Sequence, residues 1–427
     1  MTSTRLLRPA RALGALAVVS ALGVVTACST GEPGASPTTS AGASSTTSTS
    51  TTSTSTASGT TSAAPTTSPS TTVTASSTPV PPSSCGQRLA SAMTPAQRAG
   101  QLLMVGMQSS GSSRALAAQV KKQGLGSVIF LGGWNDGSAS VATVSKRLQA
   151  AAGGDLLIAA DQEGGQVQQL RGAGFTRFAS ARTQAQSSPG AEERNVTAWS
   201  RELRKAGINV NLAPVADTVP TALGAGNAPI GRFRRDFAPG SPRTNATYAA
   251  AFVRGSLAAD VAPTVKHFPG LGRVTGNTDV TASGITDSTT AAGDPYLAPF
   301  EAGIRAGAPL VMISSARYPR IDPDNQAVFS KAVITDLLRG DLGFDGVVIT
   351  DDVGAAKAVA AVSPGARATR FIAAGGDIVL IAQPGLAAPM LSAIAQKRVS
   401  SKAFAAQVDA AAARVLDLKV DLGLVRC

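Results

Sequence analysis

The hydrophobic residues that follow Cys85 fall into short, nearly continuous apolar runs, separated by longer segments rich in Ala, Leu, Arg and Gln. Continuous apolar runs are typical of parallel strands that are covered on both faces, and the longer segments are typical of helices. There are eight runs: Leu102–Met107, Ser127–Leu131, Leu156–Asp161, Asn209–Pro214, Ala262–His267, Pro309–Ser314, Val347–Asp351 and Ile378–Ile381. We therefore predict a single (β/α)8 barrel over residues 85–427. A doubly wound open sheet is the alternative, but no GxGxxG turn supports it.

Polar residues stand at or just after the ends of several of these runs. In a barrel of this kind the carboxyl ends of the strands meet at one mouth, where catalytic groups lie. The pattern therefore predicts one shared site for Asp161, Asp217, Lys266, His267, Asp351 and Asp352.

The chain begins with three arginines and no acidic residue, followed by the apolar run Ala12–Val25. This order is typical of an export signal rather than a membrane-spanning helix. The run ends in small residues before Cys28, in a segment that resembles the motif at which bacteria attach a lipid to cysteine. We therefore predict a signal peptide over residues 1–27 and a lipidated Cys28 on the outer face of the cell membrane. An ordinary signal peptide, with Cys28 incidental, is the alternative.

Residues 28–84 consist almost entirely of Ser, Thr, Ala, Pro and Gly, and Glu32 is their only charged residue. Such a composition cannot bury enough apolar surface to offset the entropy of ordering. We predict a disordered linker, which is also a plausible substrate for O-glycosylation.

Apart from Cys28, the chain has two cysteines, Cys85 and Cys427, at the first and last positions of the predicted barrel. A closed barrel brings its first and last elements together, and export favours oxidation. We therefore predict a disulfide between them; two free terminal thiols are the alternative.

The net charge of +12 becomes +9 once the three signal arginines are removed. The basic residues are scattered, without the runs and interleaved aromatics of a nucleic-acid-binding face. Neither a zinc-type Cys/His spacing nor a calcium-type loop nor a phosphate-binding loop is present. We expect no cofactor, no metal and no nucleic-acid partner, and we expect a monomer.

Five segments of the predicted barrel form a recognisable series. They are Met93–Pro95 with Gly100–Gly106, Ala160–Gly165, Leu212–Asp217, Lys266–Gly270 and Phe344–Asp352. In this order they resemble the single-domain, β-N-acetylhexosaminidase-like branch of glycoside hydrolase family 3. The resemblance implies hydrolysis of a β-linked amino sugar with retention of configuration.

The resemblance also implies roles for individual residues. Asp351 would be the nucleophile that attacks the anomeric carbon. Asp161, Lys266 and His267 would bind the sugar, and Arg235 would match the family's sugar-binding arginine. Without the motif, Asp351 would be interpreted as a helix cap and His267 as a structural residue.

The match breaks in the loop that follows the Lys266–His267 strand. Asp279 stands where the family has its catalytic histidine, and Asn277 stands where the family has the aspartate that orients it. His267 is the only histidine of the chain. Other departures, which suggest altered sugar recognition, are Gln166, Gln169, Leu271 and Ser315.

Three hypotheses about function follow. In the first, Asp279 is the acid/base of a glycosidase that acts on terminal β-N-acetylglucosamine of peptidoglycan or on another β-glycoside, and Asn277 orients its carboxyl group. In the second, hydrolysis is impaired and the protein is a glycan-binding lipoprotein of the cell envelope. In the third, which the eight runs disfavour, it is a solute-binding lipoprotein with two similar lobes.

Overall fold

The computed structural model describes residues 84–427. The predicted signal peptide, Cys28 and nearly all of the predicted linker lie outside the described residues. Eight parallel strands form one sheet: β1 Leu103–Gln108, β2 Ser127–Leu131, β3 Leu157–Ala160, β4 Val210–Asn211, β5 Ala262–Phe268, β6 Leu310–Ile313, β7 Val347–Thr350 and β8 Val379–Ile381. Their order in the sheet is β7-β6-β5-β4-β3-β2-β1-β8.

The sheet closes between β7 and β8. Ile349 bridges to Ile378, and the backbone N–H of Thr350 donates to the carbonyl of Ile378 at 2.9 Å. The N–H of Ile378 donates in turn to the carbonyl of Val348 at 3.0 Å. The predicted (β/α)8 barrel is therefore confirmed, and the described residues do not form the two lobes of a solute-binding protein.

Each predicted run coincides with one strand of the barrel, although β1 and β5 extend one residue further, and the run Asn209–Pro214 is ordered as a strand only at Val210–Asn211. Pro214 has no N–H and cannot donate to a neighbouring strand. This segment stays beside β5 through its carbonyl groups. The carbonyls of Ala213 and Pro214 accept hydrogen bonds from the N–H groups of Thr264 and Lys266, respectively. The irregular end of β4 directs Asp217 towards the mouth of the barrel.

Helices surround the sheet. They are α1 Cys85–Ala92, α2 Pro95–Gln101, α3 Ser113–Gln123, α4 Ser138–Ala152, α5 Ala181–Gln184, α6 Pro189–Lys205, α7 Pro242–Leu257, α8 Ala298–Arg305, the π-helix Ala332–Asp341, α9 Pro364–Ala373, α10 Ala387–Ser400 and α11 Lys402–Asp421. Short 3-10 turns lie at Gly224–Gly226, Gly231–Phe233, Pro295–Leu297, Ala327–Phe329, Lys357–Val359 and Pro384–Leu386. Two small hairpins pair Gln162–Gly164 with Val167–Gln168 and Arg317–Tyr318 with Asp322–Gln326. In the part of the chain that the structure covers, none of the helices has the length and apolar character needed to span a bilayer.

The last helix, α11, crosses the amino-terminal ends of the strands. The Lys419 ammonium, which is fully buried, donates to Gln101 at 2.6 Å and lies 3.6 Å from Asp155, just before β3. Arg414 pairs with Asp377, which precedes β8, at 2.8 Å. The helix therefore closes the base of the barrel, opposite the predicted mouth.

Both ends of the described chain lie at this base. The N–H of Gly86 and the hydroxyl of Ser84 donate to the carboxylate of Asp417 on α11, at 2.6 and 2.8 Å. The structure contains the disulfide between Cys85 and Cys427 that the sequence predicts.

Candidate active site

A cavity of about 440 Å³ opens at the carboxyl ends of the strands. Its floor is apolar, with Leu212, Met312 and Leu380 among the lining side chains. The six predicted catalytic and sugar-binding residues all line it: Asp161, Arg235, Lys266, His267, Asp279 and Asp351. The structure thus brings together residues that are up to 190 positions apart in the chain (351 minus 161).

One wall of the cavity carries a chain of alternating charges. The Lys266 ammonium, at 2% exposure, lies 2.6 Å from a carboxylate oxygen of Asp161 and 2.6 Å from one of Glu163. Arg235 donates to both oxygens of Glu163 at 2.8 Å, in the paired geometry that makes such ion pairs strong. Burial alone would raise the pKa of Glu163, but the charges of Arg235 and Lys266 outweigh it and lower that pKa to about 2.

The same carboxylates act on the two cations. Burial would lower the pKa of the Lys266 ammonium, yet the charges of Asp161 and Glu163 raise it. Glu163 likewise raises the pKa of the Arg235 guanidinium. Both cations therefore stay charged and fixed in place, and each presents donors towards a ligand in the cavity.

His267 is held at both ring nitrogens. Nδ1 lies 2.7 Å from a carboxylate oxygen of Asp217, and Nε2 lies 3.3 Å from a guanidinium nitrogen of Arg235. We assign the hydrogen to Nδ1, because that nitrogen faces an acceptor and Nε2 faces a donor. Asp217 is fully buried and also accepts from the backbone N–H of Leu271 at 2.6 Å. The imidazole thus serves to position neighbouring groups and has no free nitrogen.

The two adjacent aspartates after β7 have different surroundings. Asp352 accepts from the backbone N–H groups of Gly354 at 2.8 Å and Ala382 at 3.0 Å, so it joins the turn after β7 to the end of β8. Asp351 accepts from the N–H of Asp352 at 2.9 Å and otherwise faces the cavity. Asp351, at the end of a rigid strand, is therefore the carboxylate available for chemistry.

Asp279 reaches the cavity from the loop after β5. Its backbone carbonyl accepts from the N–H of Lys357 at 3.1 Å, and the carbonyl of Thr278 accepts from the N–H of Ala358 at 3.0 Å. The side chain of Asn277 accepts from the backbone N–H of Asp279 at 3.0 Å, so it shapes the turn and does not touch the carboxylate that we expected it to orient.

The pKa of the Asp279 carboxyl group is raised, although the residue is exposed at the cavity mouth. Desolvation by the surrounding protein raises its pKa to about 6, and the charge of Asp351 acts in the same direction. The positive charge of Arg235 opposes this shift only in part. Such a pKa keeps part of the carboxyl population protonated at mildly acidic pH, where a carboxyl group of ordinary pKa is ionised, and a general acid needs that proton.

Two residues of the site were not assigned a role from the sequence. Glu163 was given no role within the segment Ala160–Gly165, although its spacing of two from Asp161 places both side chains on the same side of an extended segment. Asp217 was placed at the mouth, but its pairing with His267 was not foreseen. For both residues, the signal in the sequence was a carboxylate that follows the end of a strand, β3 for Glu163 and β4 for Asp217.

The four further departures from the family pattern occupy different places. Gln166, Gln169 and Leu271 line the cavity. The side chain of Gln169 also accepts from the N–H of Gly133 at 3.0 Å, which fixes the loop after β2. Ser315 is buried and does not line the cavity.

Among the described residues, no group of three or more His, Cys, Asp or Glu side chains is arranged to hold a metal ion. The carboxylates of Asp161 and Glu163 are instead paired with Lys266 and Arg235, and that of Asp352 is hydrogen-bonded to backbone N–H groups.

Comparison with known proteins agrees with this geometry. The protein-family model for the glycosyl hydrolase family 3 N-terminal domain matches residues 95–418 of this chain. The chain belongs to glycosyl hydrolase family 3. Membership in this family extends over the whole barrel, from α2 almost to the end of α11.

Relatives within family 3 share most of this length. A β-N-acetylhexosaminidase of known structure from Beutenbergia cavernae is 46% identical, with a TM-score of 0.75, over 77% of this chain and 99% of that one. A family 3 β-N-acetylglucosaminidase from Paenibacillus is 29% identical, with a TM-score of 0.69, over 78% of this chain and 63% of that one. A β-hexosaminidase from Xanthomonas oryzae is 37% identical over 63% of this chain and 80% of its own length.

Proposed function

We propose that this protein is a retaining glycoside hydrolase that removes a terminal β-linked N-acetylhexosamine, with peptidoglycan fragments as its substrate class. The observation that carries the proposal is the pair of unlike carboxyl groups at one cavity: Asp351, which is rigid and open to the ligand, and Asp279, whose pKa is raised to about 6. A retaining glycosidase needs one nucleophile and one acid/base. The names of the relatives support the choice of sugar.

The reaction takes two steps. In the first, a carboxylate oxygen of Asp351 attacks the anomeric carbon while Asp279 donates its proton to the departing glycosidic oxygen. In the second, Asp279 removes a proton from water, whose oxygen displaces Asp351 from the anomeric carbon. The sugar is released with its original configuration, and both carboxyl groups return to their starting states.

The surroundings of His267 support a carboxylic acid as the proton donor. His267 is the only imidazole in the chain, and both of its nitrogens are held, by Asp217 and by Arg235. Proton transfer by this residue would break the network that positions Arg235. Asp279 has no hydrogen-bonded partner at its carboxylate among the described residues, so its proton is free to move.

Substrates with different leaving groups test the two roles separately. We would measure kcat/KM for a dinitrophenyl β-N-acetylglucosaminide, which needs no acid, and for a β-linked disaccharide, which does. Asp351→Ala should abolish both values. Asp279→Asn should preserve the first and reduce the second by about 10²-fold to 10⁴-fold.

Azide provides a second readout, because it attacks the glycosyl-enzyme without a base. It should restore kcat of Asp279→Asn on the dinitrophenyl substrate and give a β-glycosyl azide. A suitable control is Asp260→Asn, since Asp260 is exposed near the base of the barrel and its positive φ of 54° suits asparagine. Equal loss on both substrates for Asp279→Asn would remove it from the acid/base role. No turnover with sugar binding retained would favour a glycan-binding lipoprotein.

We also propose that the protein is exported and anchored to the outer face of the membrane through a lipid on Cys28. The basic and apolar residues before Cys28 support this placement. Cys28→Ala should release the protein from the membrane fraction and prevent incorporation of labelled palmitate. Membrane retention of that variant would contradict the proposal.

A further inference from the structure

Asn227 lies outside the cavity lining but joins two parts of the site. It is fully buried, between β4 and α7 in the chain. Its amide nitrogen donates to three carbonyl oxygens of the loop after β5: Leu271 at 2.7 Å, Gly272 at 3.1 Å and Val274 at 2.8 Å. This loop continues to Asp279, so one side chain holds the first part of the segment that carries the acid/base.

The other end of the same amide holds the segment that carries Arg235. The oxygen of Asn227 accepts from the N–H groups of Ile230 at 2.9 Å and Gly231 at 2.7 Å. The turn fixed in this way makes two hydrogen bonds to Arg235. The carbonyl of Pro229 accepts from the Arg235 guanidinium at 2.9 Å, and the carbonyl of Ile230 accepts from the backbone N–H of Arg235 at 3.2 Å. The amide thus connects the sugar-binding arginine with the acid/base loop.

We propose that Asn227 is a positioning residue that sets Asp279 for proton transfer while it supports Arg235. This inference rests on the proposed role of Asp279 as acid/base. The far part of the loop is already fixed, because Lys357 and Ala358 donate to the carbonyls of Asp279 and Thr278. Asn227 provides the matching support at the near part, so the proton donor is held between two anchors. A misplacement of about 1 Å in such a group can cost about 10²-fold in rate.

The variant Asn227→Asp separates the two halves of this support. A carboxylate of the same size still accepts from Ile230 and Gly231, so the turn that holds Arg235 is kept. As a carboxylate it cannot donate to the carbonyls of Leu271, Gly272 and Val274, and as a neutral acid it offers them one hydrogen in place of two, so in either state the loop loses donors. The loop is therefore released, while sugar binding is preserved.

The matched control is Asn209→Asp. Asn209 is also buried, donates to the carbonyl of Leu156 at 3.0 Å and accepts from the N–H of Ile158 at 2.7 Å, but it lies below β4 at the base of the barrel. Both substitutions remove a buried donor, so both should lower thermal stability. Only the change at Asn227 should alter proton transfer.

The experiment uses the chain from Ser29 to Cys427 and the two substrates described above. For Asn227→Asp we expect kcat/KM on the disaccharide to fall by about 10-fold to 100-fold, with kcat/KM on the dinitrophenyl substrate and the Kd for N-acetylglucosamine nearly unchanged. Azide should raise kcat on the dinitrophenyl substrate. Asn209→Asp should show neither effect.

Equal losses on the two substrates, or no loss, would overturn the inference. If Asn227→Asp does not fold, Asn227→Ser, which retains one donor, should give the same pattern in weaker form. Asp279→Asn is measured in parallel. If the loss in Asp279→Asn does not depend on the leaving group, the proposed function and this inference fail together. If the loss depends on the leaving group in Asp279→Asn but not in Asn227→Asp, only the inference fails.

Discussion

The buried carboxyl group of Glu192 allows a quantitative prediction about stability. Glu192 lies in the first turns of α6, is fully buried, and neither of its oxygens has a hydrogen-bond partner in the structure. Burial raises its pKa from 4.5 to about 7. The folded protein therefore binds this proton more tightly than the unfolded chain does.

The sign of the effect follows from that difference. Below pH 4.5 both states are protonated and ionisation of Glu192 costs the folded state nothing. Between pH 4.5 and 7 the unfolded chain loses the proton first, so stability falls by about 1.4 kcal/mol for each pH unit. Above pH 7 the loss levels off at about 3 kcal/mol, from a difference of roughly 2.5 in pKa.

Glu192→Gln removes this titration and keeps the shape of the side chain. Urea unfolding of the two proteins should be followed by circular dichroism from pH 4.5 to 8.5. The difference in free energy of unfolding should change by about 3 kcal/mol across this range, in favour of the glutamine variant at high pH. Glu193→Gln is the control, because the Glu193 side chain is 38% exposed and pairs with the exposed Arg254. A difference that stays constant with pH would refute the assignment of a raised pKa to Glu192.

Three further predictions concern the site and the fold. Because Asp279 must be protonated for the first step and its pKa is about 6, kcat/KM for the disaccharide should fall as pH rises through that value, while kcat/KM for the dinitrophenyl substrate should not; parallel profiles would contradict this. Glu163→Gln leaves two buried cations without their shared carboxylate, so the Kd for N-acetylglucosamine should rise by 10-fold or more (about 1.4 kcal/mol), whereas unchanged binding measured by calorimetry would show that the ion pairs are dispensable. The Cys85–Cys427 disulfide closes a loop with a sequence separation of 342, so its reduction should lower the free energy of unfolding by up to about 5 kcal/mol, and identical urea curves with and without reductant would contradict this.

Much of the barrel could be predicted because its strands are buried on both faces. Such strands must be apolar along their whole length, and runs such as Val347–Asp351 therefore stand out from the amphipathic segments around them. The run Asn209–Pro214 was harder to delimit, because regular pairing ends at Asn211 without a change in the apolar character of the segment. Composition reveals burial, but the hydrogen-bonding pattern depends on the neighbouring strand.

The site could be predicted only in part, for a similar reason. Residues at strand ends, such as Lys266 and Asp351, are placed by the geometry of the barrel itself. Asn227 and Asn277 lie in irregular loops, where no periodicity indicates which backbone groups a side chain will meet. Asn277 was expected to orient the carboxylate of Asp279 but hydrogen-bonds its backbone instead, and only the folded loop shows that difference.

The position of the two ends of the described part of the chain has a practical consequence. Ser84 and Cys427 both lie at the base of the barrel, where α11 covers the strands, and the cavity opens at the opposite end. A reporter, resin or fusion partner attached at either end would therefore be directed away from incoming glycans. The same barrel could be displayed on a bead or sensor surface through one end, with its cavity facing the solution.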